Sequence, residues 1–473
     1  MLTIDEYLQY DATGLAQLCR KREVTAEEML TIACARADAV NPDLNALVHR
    51  ADTSAMELAR RQDHEPGTGP LAGVPFVIKE VNAVKDWPYT RSTPLMRDNV
   101  ARQHSRIAQR YFDAGLLPFA SSNTPELCLT ITTEWSLFDL CRNPHNLEFS
   151  AGGSSGGSAS AVAAGIVPAA DASDGGGSIR VPAACCGLIG LKPSRGLTVT
   201  EPDVGNAWSG MSVSHVVCRS VRDSAAFLDI QKLSRPDLFA LPPQPSSFTD
   251  ACQRAPGQLT IAVQLEHPGG GDIDQECQAV VEETASRCEA MGHQLALAAP
   301  PVDYAAAGRA MAVLINIHAA QIIAPLLEQK QLELKDAQLS ESVVRMVARG
   351  IKATAREYLQ AVDTLKTIER QIADFHQHYD LVLSPVLARP TAPLGWLDMN
   401  SQDVREYASR YAAYSPFTAL FNGTGQPSIS LPLGQSQQGL PIGVMFSAAW
   451  GGDQTLLQLA NTLIEGVVPI AAS

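Results

Sequence analysis

The chain has 473 residues, a formal net charge of −14, 45% hydrophobic residues and 18% charged residues. This composition indicates a folded globular protein and excludes a disordered chain. The negative charge argues against nucleic acid or an anionic membrane as the main partner, because both would repel the protein. Ten cysteines without C-x-x-C spacing predict neither a zinc site nor a disulfide framework.

The N-terminal segment MLTIDEYLQYDATG lacks the basic stretch, apolar core and cleavage site of a signal peptide. The longest apolar stretch, MAVLINIHAAQIIAPLL at 311–327, is interrupted by Asn316, His318, Gln321 and Pro325. We expect it to fall short of the roughly 18 apolar residues that a membrane span needs. The sequence therefore predicts a soluble, cytoplasmic protein with no membrane partner, and a homodimer is compatible with it.

Helices and short apolar strands alternate along the chain. TAEEMLTIACARADAV at 25–40 predicts a helix capped by Thr25, and the apolar run 74–78 predicts a buried strand that ends at Lys79. Further strands are predicted in the segments at 116–120, 258–265, 293–300, 379–386, 427–434 and 441–449, with a closing helix at 453–465. This alternation predicts an α/β fold with a largely parallel sheet and helices on both faces.

The segment AGGSSGGSAS at 151–160 resembles a flexible linker in composition. A run of small apolar residues follows it at once, which indicates a buried core segment instead. A phosphate-binding loop is disfavoured because neither GxxxxGK[ST] nor GxGxxG is present. GGSSG also matches the GxSxG nucleophile elbow with Ser154 at its centre, but the preceding CRNPHNLEFSA is polar and contains Pro144, which disfavours a central strand.

A second glycine-rich segment, DGGGSIR at 174–180, predicts a site for nucleophilic catalysis. Three successive glycines leave backbone N–H groups free to form an oxyanion hole, and Ser178 follows them as a candidate nucleophile. No histidine stands in a distinctive setting, so Lys79, at the end of an apolar strand, is the candidate base, with a serine of 151–160 as proton relay. The alternative for Lys79 is a surface salt bridge with the adjacent Glu80.

The stretch 152–196, GGSSGGSASAVAAGIVPAADASDGGGSIRVPAACCGLIGLKPSRG, resembles the amidase signature family. The resemblance extends to GVPFVIKE at 73–80, SSNTPEL at 121–127, RNPHN at 142–146, and FNGTGQPSISLPLG followed by GLPIGVMF within 421–446. It implies a large mixed, mostly parallel sheet covered by helices. It also implies a single domain over 1–473, with N-terminal helices (1–65), a catalytic core (66–230), a variable pocket region (240–400) and a C-terminal sheet and helix (415–470).

The resemblance implies a Ser-cisSer-Lys triad without metal or cofactor. In this triad Ser178 is the nucleophile, Ser154 the bridging serine after a cis peptide bond, and Lys79 the base, while Ser155 supports the network. The implied oxyanion hole consists of the backbone N–H groups of Gly175, Gly176, Gly177 and Ser178. Asp174 and Arg180 are expected to hold the glycine turn. The candidates for the substrate pocket are Cys128, Trp135, Phe138 and Trp208, each equally compatible with plain core, and Asn316, on a helix where such enzymes differ.

The function that the resemblance implies is hydrolysis of the C–N bond of a small-molecule amide through an acyl-enzyme. One alternative is the amidase-type subunit of a tRNA-dependent amidotransferase, which would pass ammonia to a partner. A catalytically silent scaffold of the same fold is less favoured, because Lys79, Ser154 and Ser178 are all retained. The acyl and amine groups of the substrate do not follow from the sequence.

Overall fold

One eleven-stranded sheet organises the fold, with strands from residues 47 to 448. It is seen in a computed structural model that describes residues 2–65, 67, 69–134, 137–199 and 207–464. The described strands, of which all but β4 and β5 belong to this sheet, are β1 Leu47–Arg50, β2 Pro75–Lys79, β3 Leu117–Ser122, β4 Arg142–Asn143, β5 Asn146–Ser150, β6 Ala169–Asp174, β7 Ile189–Lys192, β8 Val213–Cys218, β9 Thr260–Val263, β10 Gln294–Leu297, β11 Leu381–Pro385, β12 Ser428–Gln435 and β13 Pro441–Ala448.

Helices connect and cover these strands. They are α1 Ile4–Gln9, α2 Ala12–Arg20, α3 Ala26–Leu44, α4 Asp52–His64, α5 Arg106–Asp113, α6 Gly156–Ala163, α7 Arg180–Cys186, α8 Val221–Gln231, α9 Phe248–Ala251, α10 Gln275–Ala290, α11 Tyr304–Lys330, α12 Glu341–Lys352, α13 Ala355–Phe375, α14 Val404–Tyr414, α15 Leu420–Thr424 and α16 Asp453–Ile464. Short 3-10 turns lie at Pro94–Met96, Glu126–Cys128, Ala207–Gly210 and Leu334–Asp336.

The strand order is β1-β3-β2-β6-β8-β7-β12-β13-β11-β9-β10, which confirms the predicted α/β class and large mixed sheet. Of the ten pairings described in this sheet, four are parallel, those of β3-β2-β6 and β11-β9-β10. The centre of the sheet is antiparallel, so parallel pairing is less extensive than predicted. The reason is topological: β6 and β7 run in one direction on either side of α7, but β8 lies between them and pairs antiparallel with both.

Both faces of the sheet are covered where the site is built. Every residue of β2 and β3 is buried, as is every residue of β11 and β13. Because successive strand side chains point to opposite faces, unbroken burial requires packing on both faces. Lys79, the last residue of β2, is consequently fully buried.

The local predictions are confirmed within a few residues. The helix predicted at 25–40 is α3, in which Thr25 accepts a hydrogen bond from the backbone of Glu28. The strand predicted at 74–78 is β2, one residue later in the chain. The polar segment before residue 151 is no central strand: β4 and β5 form a separate two-stranded ribbon.

Helix α11 differs from the sequence expectation. It runs for 27 residues, and its most apolar window has a mean hydropathy of 1.8, so that by length and composition it could cross a membrane. The polar side chains at 316–321 lower the mean hydropathy of this window too little to exclude a membrane span by length and composition. Core helices of soluble proteins also pass it, and α11 packs against α12, α13 and α15 in this fold.

Candidate active site

Polar side chains from three segments meet at the carboxyl end of β2. The Lys79 Nζ donates to Ser154 Oγ at 2.8 Å and to Ser173 Oγ at 3.0 Å. Lys79 and Ser154 are fully buried, and the peptide bond between Gly153 and Ser154 is cis. The structure thus brings together two of the predicted site residues. It adds Ser173, which the sequence analysis missed, and whose position in β6, beside β2, was the available signal.

The glycines of 151–160 serve close packing. A Cβ atom on Gly153 would lie 2.4 Å from the Thr132 carbonyl oxygen, and one on Gly157 would lie 2.3 Å from the Asn123 backbone nitrogen. Real Cβ atoms do not approach backbone so closely, so both positions require glycine. The segment is buried and continues into α6, which agrees with the predicted core segment.

The loop between β6 and α7 carries Ser178, which is 6% exposed. Ser155 ties this loop to the segment that holds Ser154. The Ser155 N–H donates to the Ser178 carbonyl at 3.3 Å, and the Ser155 hydroxyl accepts from the Ser173 N–H and donates to the Ser173 carbonyl, both at 3.3 Å. Ser155 therefore links the segment that holds Ser154 to both Ser173 and the loop of Ser178.

The backbone N–H groups of the glycine turn divide into two kinds. Among the described residues, those of Gly175, Gly176 and Ser178 have no protein acceptor. The Gly177 N–H donates to Asp174 Oδ1 at 2.7 Å, which corrects the prediction that it belongs to the oxyanion hole. The turn folds back over the Asp174 side chain, so that the Asp174 carboxylate, and not a substrate oxygen, accepts the hydrogen bond of the Gly177 N–H. A Cβ on Gly176 would meet no atom within 4 Å, so this part of the turn borders open space.

Asp174 and Arg180 form a buried ion pair beneath the turn. The Arg180 Nε and Nη2 each donate to the Asp174 carboxylate at 2.9 Å, and both side chains are fully buried. Arg180 also donates to the Thr418 carbonyl and to Asn422 Oδ1. Burial alone would raise the pKa of Asp174, but the Arg180 charge and hydrogen bonds hold it well below its usual range. The pair thus fixes the start of α7 and the turn before it.

Replacing Arg180 with methionine should lower the free energy of unfolding by about 3–5 kcal/mol, because Asp174 would remain buried without its counter-charge. Urea denaturation of the Arg180→Met variant measures this. The matched control is Arg345→Met, which breaks the half-exposed pair of Arg345 with Glu341 on α12. That change should cost no more than about 0.5 kcal/mol. Equal effects of the two substitutions would contradict this role for the buried pair.

Glu80 is buried and makes no ion pair with Lys79 among the described residues, which rules out the surface salt bridge considered from the sequence. Its carboxylate instead accepts from the Thr90 N–H at 2.5 Å, the Thr90 hydroxyl at 2.8 Å and the Ser92 N–H at 3.2 Å. Burial raises the pKa of Glu80 to about 7, against the lowering effect of these hydrogen bonds. Glu80 therefore anchors the loop at 90–92.

The raised pKa of Glu80 predicts a pH-dependent contribution to stability. The folded chain binds a proton at Glu80 up to about pH 7, whereas the unfolded carboxyl releases it above about 4.5. The stability that Glu80 contributes is thus fully present below 4.5 and is lost as the pH rises through 7. The Glu80→Gln variant, which cannot titrate, should gain stability relative to the wild type across this window and then level off. A difference independent of pH in urea titrations would refute the prediction.

A cavity of about 460 Å³ lies beside these residues. It includes Ser173, the partner of Lys79, and two predicted pocket residues, Cys128 and Trp208. The Trp208 ring packs over the glycine turn, since a Cβ on Gly175 would lie 2.6 Å from it. The described residues that line the cavity are Val81, Asn82, Ala83, Tyr89, Arg91, Met96, Ser105, Leu127, Cys128, Ser173, Val199, Trp208, Ser212, Ser214, His318, Gln321, Ile322, Pro325 and Leu326.

Two further pocket predictions, Phe138 and Asn316, are not supported by the structure. Phe138 does not line the cavity, and its carbonyl accepts a hydrogen bond from Asn45 Nδ2 at 2.6 Å. Asn316 also lies away from the cavity, with its backbone carbonyl against Gly350 of α12. The face of α11 that lines the cavity includes His318 and Pro325, and a helical turn places Asn316 on a different face. Trp135 lies outside the described residues.

The arrangement fits serine nucleophilic catalysis. A buried amine is hydrogen-bonded to a serine hydroxyl, and a second serine follows a glycine turn with unpaired N–H groups. That turn packs against Trp208, which lines the cavity. Among the described residues, no group of three His, Cys, Asp or Glu side chains is placed to hold a metal ion. Such a combination of base, nucleophile and N–H donors can stabilise a tetrahedral intermediate at a carbonyl carbon.

Comparison with known proteins agrees with this chemistry. The profile of the family described as Amidase matches residues 28–457. The chain is 35% identical to the 6-aminohexanoate-cyclic-dimer hydrolase of Paenarthrobacter ureafaciens, over 98% of this chain and 96% of that protein. A solved structure of 6-aminohexanoate cyclic dimer hydrolase has a TM-score of 0.90 at 33% identity, over 98% of both chains. A bacterial aryl acylamidase of the amidase signature enzymes, with a TM-score of 0.86 at 24% identity over 97% of this chain and 96% of its own, shares the fold.

Proposed function

Because this chain belongs to the amidase signature family, we propose that it hydrolyses a small-molecule amide through a covalent acyl-enzyme on Ser178. The family makes the chain an amidase, a hydrolase of carbon–nitrogen bonds other than peptide bonds. The parts played by individual residues are our proposal. The observation that carries it is the hydrogen bond from Lys79 Nζ to Ser154 Oγ, beside the turn that presents Ser178.

In the proposed acylation step, Lys79 acts as the general base. Ser178 Oγ attacks the amide carbonyl carbon and gives its proton to Ser154, whose own proton passes to Lys79 Nζ. The tetrahedral intermediate carries a negative oxygen, which the N–H groups of Gly175, Gly176 and Ser178 stabilise. The relay then returns a proton to the departing nitrogen as the C–N bond breaks.

Deacylation follows the same relay in reverse. A water molecule gives a proton through Ser154 to Lys79 and attacks the ester carbonyl of the acyl-enzyme. The intermediate collapses, Ser178 regains its proton, and the carboxylate product leaves. The contacts of the Lys79 amine support this cycle, because its Nζ donates to the hydroxyl of Ser154, the proposed relay residue, and to that of Ser173.

The surroundings fit a small substrate in a reducing compartment. A cavity of about 460 Å³ matches the volume of small-molecule sites, and the named relative acts on a cyclic dimer of 6-aminohexanoate. We propose a linear or cyclic amide of similar size. All ten cysteines are unpaired, which supports a location in the cytoplasm, where thiols stay reduced.

Partitioning of the acyl-enzyme tests this function. An amide and an ester with the same acyl group should pass through one intermediate, so added hydroxylamine should yield hydroxamate and carboxylate in the same ratio from both. The 6-aminohexanoate cyclic dimer and linear hexanamides are suitable first substrates, and carboxylate and amine should appear in equal amounts. Different partition ratios for amide and ester, or no turnover of any amide by the purified chain, would overturn the proposal.

A further inference from the structure

The cavity beside the candidate active site contains an isolated positive charge. Among the lining residues that the structure describes, Arg91 is the one lysine or arginine, and none is an aspartate or glutamate. His318 also lines the cavity, but burial lowers the pKa of its imidazole. In a chain of net charge −14, this guanidinium is a local exception.

The backbone around Arg91 is held on three sides. The buried Glu80 carboxylate accepts from the N–H groups of Thr90 and Ser92, the two neighbours of Arg91. The Arg91 carbonyl accepts from the Leu127 N–H at 3.0 Å. Arg91 itself has a φ of +51°, a left-handed conformation that non-glycine residues adopt only when their surroundings impose it. The side chain is thus directed by a fixed loop.

The guanidinium is oriented but not neutralised. Its Nε donates to the Tyr89 hydroxyl at 2.9 Å, and its carbon lies 5.2 Å from the centre of the Tyr89 ring. No carboxylate forms an ion pair with Arg91 among the described residues, and no acceptor there meets its Nη1 or Nη2. The nearby Glu80 forms no ion pair with Arg91, because its oxygens are occupied by the Thr90 and Ser92 groups. Burial raises the pKa of Glu80 to about 7 although the Arg91 charge acts to lower it. Two terminal nitrogens therefore remain to bind a ligand.

We propose that Arg91 binds a carboxylate group of the substrate, so that this amidase prefers amides bearing a carboxylate on the part that occupies the cavity. Both terminal nitrogens can donate to the two oxygens of one carboxylate, a geometry that lysine cannot reproduce. This substrate class rests on the proposed function, since the bound amide must reach Ser178. Arg91 is a specificity-determining residue and takes no part in bond making.

Matched substrate pairs test the proposal. Adipamate and hexanamide differ by a carboxylate on the acyl side, and N-acetyl-6-aminohexanoate and N-acetylhexylamine differ by one on the amine side. The wild type should favour the carboxylate member of one pair by about 10- to 100-fold in kcat/KM, mainly through KM. In Arg91→Met this preference should fall to about one, with the neutral substrates unchanged. Arg91→Lys should keep part of it.

A binding measurement separates this inference from the proposed function. In a Ser178→Ala background, calorimetry should show the favoured carboxylate amide binding about 10- to 100-fold more weakly when Arg91→Met is added. Neutral amides hydrolysed as well as their carboxylate partners would overturn the Arg91 proposal while leaving the amidase function standing. Equal losses on charged and neutral substrates in both Arg91 variants would overturn it too, since that pattern reports a structural role. No amide turnover at all would refute both.

Discussion

Replacing Ser178 with alanine should lower kcat for amide hydrolysis by about 10⁴- to 10⁶-fold, because no acyl-enzyme can form without the Ser178 hydroxyl. The substitution removes one oxygen from a side chain that is 6% exposed and that makes no side-chain hydrogen bond among the described residues. The melting temperature should therefore change little. Steady-state kinetics on a single amide, with thermal denaturation of the same preparation, measures both effects.

The control for this variant is Ser212→Ala, which removes the hydroxyl of a serine that lines the cavity. Ser212 has no assigned part in the relay, so its removal should reduce kcat/KM by less than about 10-fold. Comparable losses from the two alanine variants would indicate that Ser178 contributes only to substrate binding. A Ser178→Ala variant that retains wild-type turnover would contradict the acyl-enzyme outright.

Replacing Lys79 with methionine should lower kcat for amides by about 10³- to 10⁵-fold, since the relay would lose its base and its source of a proton. Methionine has a similar length and no charge, so it suits a fully buried position. The loss should be smaller for a p-nitrophenyl ester with the same acyl group. The p-nitrophenolate leaving group of the ester departs without taking up a proton, whereas the nitrogen of an amide has to be protonated before it can leave.

The kinetic comparison of amide and ester distinguishes proton transfer from structural damage. If Lys79 only supports packing, both substrates should lose rate equally. Lys85→Met is a suitable control, because Lys85 is an exposed lysine in the segment after β2. It should leave both rates within about 2-fold of the wild type.

The central chemistry could be predicted from the sequence because it depends on local patterns. The apolar run before Lys79 indicated a buried strand, and the glycines before Ser178 indicated a turn with free N–H groups. Both expectations concern residues close together in the chain. That Lys79 and Ser154 meet came from the family resemblance, since residues 75 positions apart are joined only through the sheet.

The parts that could not be predicted depend on contacts distant in sequence. The Gly177 N–H is bound by Asp174 because of the particular fold of the turn. Asn316 was expected in the pocket from the family resemblance, because its helix lies where such enzymes differ. The packing of α11 against α12 decides which face of the helix lines the cavity. The extent of parallel pairing likewise depended on β8 entering between β6 and β7. Helix–strand alternation does not specify such an insertion.

The most direct test of the account is to trap the acyl-enzyme and locate it. The protein is mixed with excess amide or ester, quenched in acid and analysed by intact-mass spectrometry and peptide mapping, with a fluorophosphonate as the positive control. We predict an adduct of the acyl mass on the peptide that contains Ser178, absent in the Ser178→Ala variant. An adduct on the peptide that contains Ser154, or turnover of the substrate without any adduct on Ser178, would contradict the proposed mechanism.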